Sequence, residues 1–206
     1  MSNYIWLLDS GHGGLNPETG IYVTPGKRSP KWGDGTQYFE GVGNRDIVKR
    51  ILNRCLDAGI IAVDIVNNWE DVSLATRVNR ANAVHQYFKN SIYVSVHSNG
   101  FNKESAHGYS VYTSPGKTRS DKYAEILLEK MKIKFPDHKL RKDTSDGDMD
   151  KEAAFYVLRK TKMPAILSEN FFMTNKKECD LLLTEKFRQK IADCHFEMMK
   201  QVEYEG

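Results

Sequence analysis

The chain lacks long apolar runs: no stretch approaches the ~18 residues that a membrane-spanning helix needs, and a membrane span is not expected. It also lacks a dominant charge. Lys and Arg number 30 against 27 Asp and Glu, a net charge of +3. Both signs are mixed along the chain, whereas specific DNA binders gather basic residues on one face, so nucleic acid is not an expected partner. The small positive excess leaves a mild pull toward an anionic polymer. Cysteine is scarce, with Cys55, Cys179 and Cys194 widely spaced and odd in number. That excludes a disulfide framework, and without a CxxC pair there is no thiolate zinc signal. The three read as small buried residues in helices. A basic start is missing as well. The opening Met-Ser-Asn-Tyr-Ile-Trp-Leu-Leu meets Asp9 too soon for a signal peptide, which implies synthesis in the cytoplasm.

What is present is enough apolar matter, 40% of 206 residues, for one domain with a true core. Tyr4 to Leu8 reads as a buried strand that enters the glycine-rich turn Asp-Ser-Gly-His-Gly-Gly. Leu15 to Tyr38 carries so much Pro and Gly that it reads as a long loop, the kind that is usually functional or disordered. From Val42 to Ala58, Ile47, Val48, Ile51, Leu52, Cys55 and Leu56 recur at helical spacing, and Gly59 stops the helix. Ile60–Val66 is a β-branched strand. Ser73 caps a helix through Phe88, with Leu74, Val78, Ala81, Val84 and Tyr87 or Phe88 on one face. Ile92–Val96 is a strand ending at His97, Gly108–Thr113 another, and Ser120–Phe135 a helix. Asp143–Asp150 is a polar loop. Phe155–Leu158 and Ala165–Ser168 read as strands, and Asn175–Val202 as one or two closing helices with an Asn175/Glu178 capping box. Alternating strands and helices imply a single α/β domain over residues 1–206, three layers deep, with a twisted, mostly parallel sheet and helices on both faces.

Three chemically able residues follow strands: His12 after the first, His97 after Ile92–Val96, Glu169 after Ala165–Ser168. In open α/β sheets ligands bind beyond the carboxyl ends of the strands, so parallel strands would open all three onto one edge. Two imidazoles, one carboxylate and an open position form the usual donor set of hydrolytic zinc. A second carboxylate off the metal is then needed to move the water proton. Glu40, at the start of the first long helix, and Glu169 are the candidates for the two carboxylate roles. Taken singly, each residue has a plainer reading: a loop histidine, a strand end, or a glutamate that complements a helix dipole, worth ~0.3–1 kcal/mol. His85, His138 and His195 take the plain reading, while His107 could line the cleft.

These blocks carry a resemblance. Leu-Leu-Asp-Ser-Gly-His-Gly-Gly, Glu40 ahead of a helix, Ser95-Val96-His97-Ser98-Asn99, and Ser168-Glu169-Asn170-Phe171-Phe172-Met173-Thr174-Asn175 stand in the order seen in the zinc amidases of bacterial autolysins and phage endolysins, amidase type 3. Leu74-Ala75-Thr76-Arg77 with Arg80-Ala81-Asn82, and His107 to Tyr112, are similar to intervening family segments, so the match runs through nearly the whole chain. The resemblance implies that His12, Glu40 and His97 hold one Zn2+ and that Glu169 is the catalytic base. It implies an N-acetylmuramoyl-L-alanine amidase that cuts peptidoglycan between N-acetylmuramic acid and L-alanine, acting on the outer side of the cell after release or accessory export. Ser98 and Asn99 are expected to orient His97 or contact substrate. The chain departs from the family at Ser10, usually Pro, and at Phe171, usually Gly, where the large ring either narrows the cleft or turns inward. The alternatives are a zinc peptidase of related fold and an inactive wall-binding protein.

Overall fold

The computed structural model describes residues 2–205. In chain order the elements are β1 (Ile5–Ser10), α1 (Glu40–Asp57), β2 (Ile61–Asp64), α2 (Leu74–Tyr87), β3 (Ser91–Asn99), β4 (Ser110–Thr113), α3 (Asp121–Lys134), β5 (Lys151–Glu152), α4 (Tyr156–Lys160), β6 (Ala165–Phe172), α5 (Lys176–Leu182) and α6 (Glu185–Glu205). The strands form one sheet in the order β2-β1-β3-β6-β4-β5. All neighbours run parallel except β4 against β6.

Strand residues alternate between the two faces of the sheet. Trp6, Leu8, Val94, Val96 and Ile166 join Ile47, Ile51, Leu127 and Ile191 from α1, α3 and α6. Leu7, Tyr93 and Leu167 join Val78 and Ala81 of α2 and Val157 and Leu158 of α4. Both faces are therefore covered, which is why Ile5–Leu8 of β1 and Ile92–Val94 of β3 read as continuous apolar runs rather than alternating ones. The α/β architecture with helices on both faces is the one expected. In α1 the buried stripe is Ile47, Val48, Ile51 and Cys55, each large aliphatic side chain contributing about 1.5–3 kcal/mol. All three cysteines are free and buried, as their scarcity implied.

Some elements differ from the sequence reading. Phe155–Leu158 is not a strand: Phe155 is the N-cap of α4, and Val157 and Leu158 are buried within that helix. A four-residue apolar run fits either structure, and here packing against α2 decided. The two-residue β5 carried no apolar pattern to read. On α2, Ser73 caps as expected, accepting from the Thr76 amide, but Leu74, Tyr87 and Phe88 are exposed and Arg77 is buried instead. The Asn175/Glu178 box is only half formed. Asn175 accepts from the Glu178 amide, while the Glu178 carboxylate accepts from the amides of Gly108 and Phe172 at 2.8 Å each.

Candidate active site

The carboxyl ends of β1, β3 and β6 lie side by side, with Asp9 opposite Ser95 and His97 opposite Glu169. β1 leaves the sheet through Gly11 and His12. A Cβ on Gly11 would stand 2.1 Å from Cε1 of His97, so the imidazole rests on bare backbone. His12 has φ 65°, a left-handed conformation costing roughly 1–2 kcal/mol for a residue with a side chain. Hydrogen bonds hold it there. Its carbonyl accepts from Arg45 Nη1 at 2.7 Å and Arg77 Nη2 at 3.1 Å, and the Gly11 carbonyl accepts from Asn44 Nδ2 at 3.1 Å. Arg77, buried, also pairs with the buried carboxylate of Asp9. The other Asp9 oxygen accepts from Tyr93 Oη at 2.5 Å and Ser95 Oγ at 2.9 Å.

Glu40 is the first residue of α1, and only 2% of it is exposed. Close approach of α1 to the β1 turn requires Gly41, where a Cβ would meet the Gly13 carbonyl oxygen at 1.8 Å. Glu40 Oε1 stands 3.2 Å from His12 Nε2 and 3.1 Å from His97 Nδ1. Burial disfavours its charged form, yet the hydrogen bonds from both imidazoles outweigh it and hold the pKa at about 2. The same contact works on His97: burial pulls its pKa down, but the Glu40 carboxylate wins and raises it. The rings of His12 and His97 stand nearly perpendicular, 5.0 Å apart.

Glu169 lies across from His97 on β6 and lines the same cleft, about 920 Å3 in volume. Its Oε2 is buried without a hydrogen-bond partner. Burial raises its pKa to about 7, aided by the Glu40 charge and opposed by His97. Lys27 and Arg28 from the Leu15–Tyr38 loop, and Phe101, Phe155 and Tyr156, also face this space.

His12, Glu40 and His97 each offer a donor atom within 4.8 Å of the others. Imidazole nitrogens with one carboxylate oxygen, open to a cleft on one side, fit the donor chemistry of a catalytic zinc site. Glu169 stands beside the set with its orphaned oxygen. The four residues singled out in the sequence thus lie at one edge of the sheet.

His97 and Glu169 do not follow their strands but lie within them, since β3 and β6 continue to Asn99 and Phe172 across a register shift. Ser98 supports the site indirectly. Its amide is 3.4 Å from Glu40 Oε1, and its hydroxyl meets Tyr38 Oη at 3.2 Å rather than His97. Asn99 lines the cleft. The residue that braces the His97 backbone is Asn170, whose Nδ2 donates to the His97 carbonyl at 2.9 Å. Phe171, with φ 66°, turns inward and is fully buried among Tyr109, Phe135, His138 and Phe187, so the cleft is not narrowed. His107 is exposed and outside the cleft lining. Asp9, Arg45 and Asn170 were missed as supports. The available signal was Asp9 itself, an acid closing the apolar run of β1, which called for a buried partner without showing which residue supplies it.

Fold and cluster together define an α/β domain whose donor groups gather at the carboxyl edge of a mostly parallel sheet. Residues 7–201 match the N-acetylmuramoyl-L-alanine amidase family, and the chain belongs to it. It is similar to the N-acetylmuramoyl-L-alanine amidase LytC of Bacillus subtilis (strain 168), with 29% identity across 86% of this chain. It is also similar to the endolysin of Bacillus phage SPP1, with 27% identity across 98% of this chain. It spans 34% of the length of the first and 66% of the second. The structure of an N-acetylmuramoyl-L-alanine amidase from Clostridium difficile 630 superposes with a TM-score of 0.77 at 23% identity, covering 100% of both chains. An amidase structure from Mycobacterium smegmatis gives 0.76 at 19% identity, covering 100% of this chain and 99% of that one.

Proposed function

We propose that this chain is an N-acetylmuramoyl-L-alanine amidase, hydrolysing the amide between the lactyl group of N-acetylmuramic acid and L-alanine in peptidoglycan. Residues 1–206 act as one catalytic domain, with the cell wall as their place of action. The observation that carries this reading is the meeting of His12, Glu40 and His97 donor atoms beside Glu169, whose Oε2 is buried and unpaired at the cleft. Membership of the amidase family and similarity to wall amidases and a phage endolysin support the substrate class.

His12, Glu40 and His97 hold one Zn2+. When bound, zinc supplies Lewis acidity, polarising a carbonyl and making water a better acid. Glu40 brings one negative charge to the set and keeps both imidazoles turned inward. Glu169 Oε2 takes a proton from the attacking water and returns it to the alanine nitrogen as the carbon–nitrogen bond breaks. A carboxyl group that burial lifts above the ordinary carboxylate range suits both halves of that exchange. Lys27 and Arg28 put positive charge on the loop wall of the cleft, where carboxylates of a stem peptide gain attraction.

The test is to incubate purified cell wall with the protein, with and without a chelator, and to assay new N-terminal L-alanine. Amine release that needs metal, and that Glu169→Gln abolishes while zinc content persists, is expected. Release of free amino acids from plain peptides, with none from wall, would instead mark a zinc peptidase. Wall binding without any release would mark a binding protein.

A further inference from the structure

Outside the cleft, Glu125 on α3 and Asp148 and Asp150 before β5 bring three carboxylates together, one oxygen from each lying within 4.8 Å of the others. Asp150 is only 3% exposed. Its Oδ2 accepts from Thr113 Oγ1 on β4 at 2.7 Å, and its Oδ1 is buried with no partner. Asp148 Oδ1 is buried and unpartnered too. Glu125 Oε1 accepts from the Met149 amide at 2.6 Å, tying the residue between the two aspartates to α3. Among the described residues, no lysine, arginine or histidine pairs with any of the three carboxylates.

Buried carboxylate oxygens facing each other without a donor require a proton or a cation. A proton shared between Asp148 and Asp150 satisfies one oxygen of each but leaves two negative charges among the three carboxylates, which a divalent cation neutralises. Burial first, then the charges of Asp148 and Asp121 and a hydrogen bond that the protonated acid makes to Asp148, push the Asp150 pKa up to about 7, against the lowering effect of the Thr113 hydrogen bond. Near neutral pH the pair therefore stands ready for a positive partner. The donor set is oxygen only, the chemistry of hard cations rather than of zinc. Mg2+ keeps most of its water and takes one or two carboxylates, whereas Ca2+ gathers more protein oxygens, so three carboxylates suit the larger ion.

We propose that Glu125, Asp148 and Asp150 form a second metal site, for a calcium-class divalent cation, that fastens the 143–150 loop and β5 to α3. Water completes the coordination. The anchored segment runs directly into Phe155 and Tyr156, which line the cleft, so the site steadies one wall of it from outside. It uses none of His12, Glu40 or His97 and stands whether or not the amidase assignment holds.

The experiment uses the full chain with stoichiometric zinc, stripped of calcium with a calcium-selective chelator. Ca2+ is titrated at neutral pH by calorimetry, and thermal unfolding is followed in parallel. One Ca2+ per chain should bind, and saturation at ~100 times Kd should raise Tm by about 5 °C or more. Asp150→Asn and Glu125→Gln should each weaken binding at least tenfold. Asp150→Asn without calcium should melt no lower than the parent, because the amide relieves the repulsion. Should Asp150→Asn fail to fold, the half-buried Glu125→Gln decides alone. Absence of heat and of any Tm shift up to about 10 mM Ca2+, beyond the weakest ~10⁻³ M sites, overturns the proposal. So does an equal shift in parent and variants. A parent stabilised by acid but indifferent to calcium holds a shared proton instead, which also overturns it.

Discussion

The His12–Glu40–His97 cluster and the Glu125–Asp148–Asp150 cluster are both built around a buried carboxylate, and the two carboxylates behave in opposite ways. Glu40 is held at a pKa of about 2 and Asp150 is raised to about 7. Burial opposes charge in both. The difference lies in the neighbours: two imidazoles donate to Glu40, whereas Asp150 has one hydroxyl and further carboxylates. Buried Asp9 marks a third outcome, with an arginine, a tyrosine and a serine on its two oxygens. The company of a buried acid, more than its depth, decides its charge and the cation it can accept.

The largest expected effect breaks the comparison at the cleft. Glu169→Gln should lower kcat about 10²–10⁴-fold while metal analysis still finds zinc, because Glu169 is not one of the three donors. Full activity in that variant would remove the proton-moving role. Next comes the arginine-paired acid. Arg77→Met leaves Asp9 buried without its countercharge and should cost about 3–5 kcal/mol in urea unfolding. Adding Asp9→Asn should restore part of that loss, and no restoration would mean that the arginine matters through its carbonyl contacts alone.

A smaller effect comes from an imidazole that lacks a carboxylate partner. His195 is fully buried on α6. Its Nδ1 faces the Ile191 carbonyl at 2.9 Å and so carries the proton, leaving Nε2 to accept from Ser168 Oγ at 2.9 Å. Burial lowers its pKa to about 4 from 6.5. Between those values the unfolded chain binds more protons than the folded one, so stability falls as pH drops through that window. His195→Gln should flatten this component, worth about 2–3 kcal/mol at the acid end, when parent and variant are unfolded in urea at pH 7 and pH 4. Equal pH slopes in the two would refute it. The smallest effect sharpens the acidic side: Thr113→Val takes the sole donor from Asp150 and should lower stability by about 1 kcal/mol in calcium-free urea unfolding. A midpoint unchanged from the parent would show that Asp150 does not depend on the hydroxyl.

Much of the site was legible in the sequence because its residues stand at places that local pattern marks. His12 follows an apolar run into a glycine turn, and Glu40 opens a periodic helix. His97 and Glu169 sit in apolar strands that pair in parallel, so reading the strands gave the edge they share. Less legible were features with no local period. β5 is two residues long, α4 is a short apolar run that suits two structures, and Arg77 gave no local sign that it would be buried against Asp9 on another element. The inward turn of Phe171 depended on the aromatic pocket formed by Phe135 on one side and Phe187 on the other.

Residue order alone determined an alternating α/β chain, its long Pro- and Gly-rich loop, and the identity of the imidazoles and acids available for chemistry. Those properties follow from side-chain period, backbone permissiveness and donor type, all local. Tertiary structure alone decided which carboxylate meets an arginine, which meets only other carboxylates, and how closely Glu40 approaches its two imidazoles. Protonation and cation preference arise from charges a few ångströms apart in space, and that distance is set by how the sheet and helices pack.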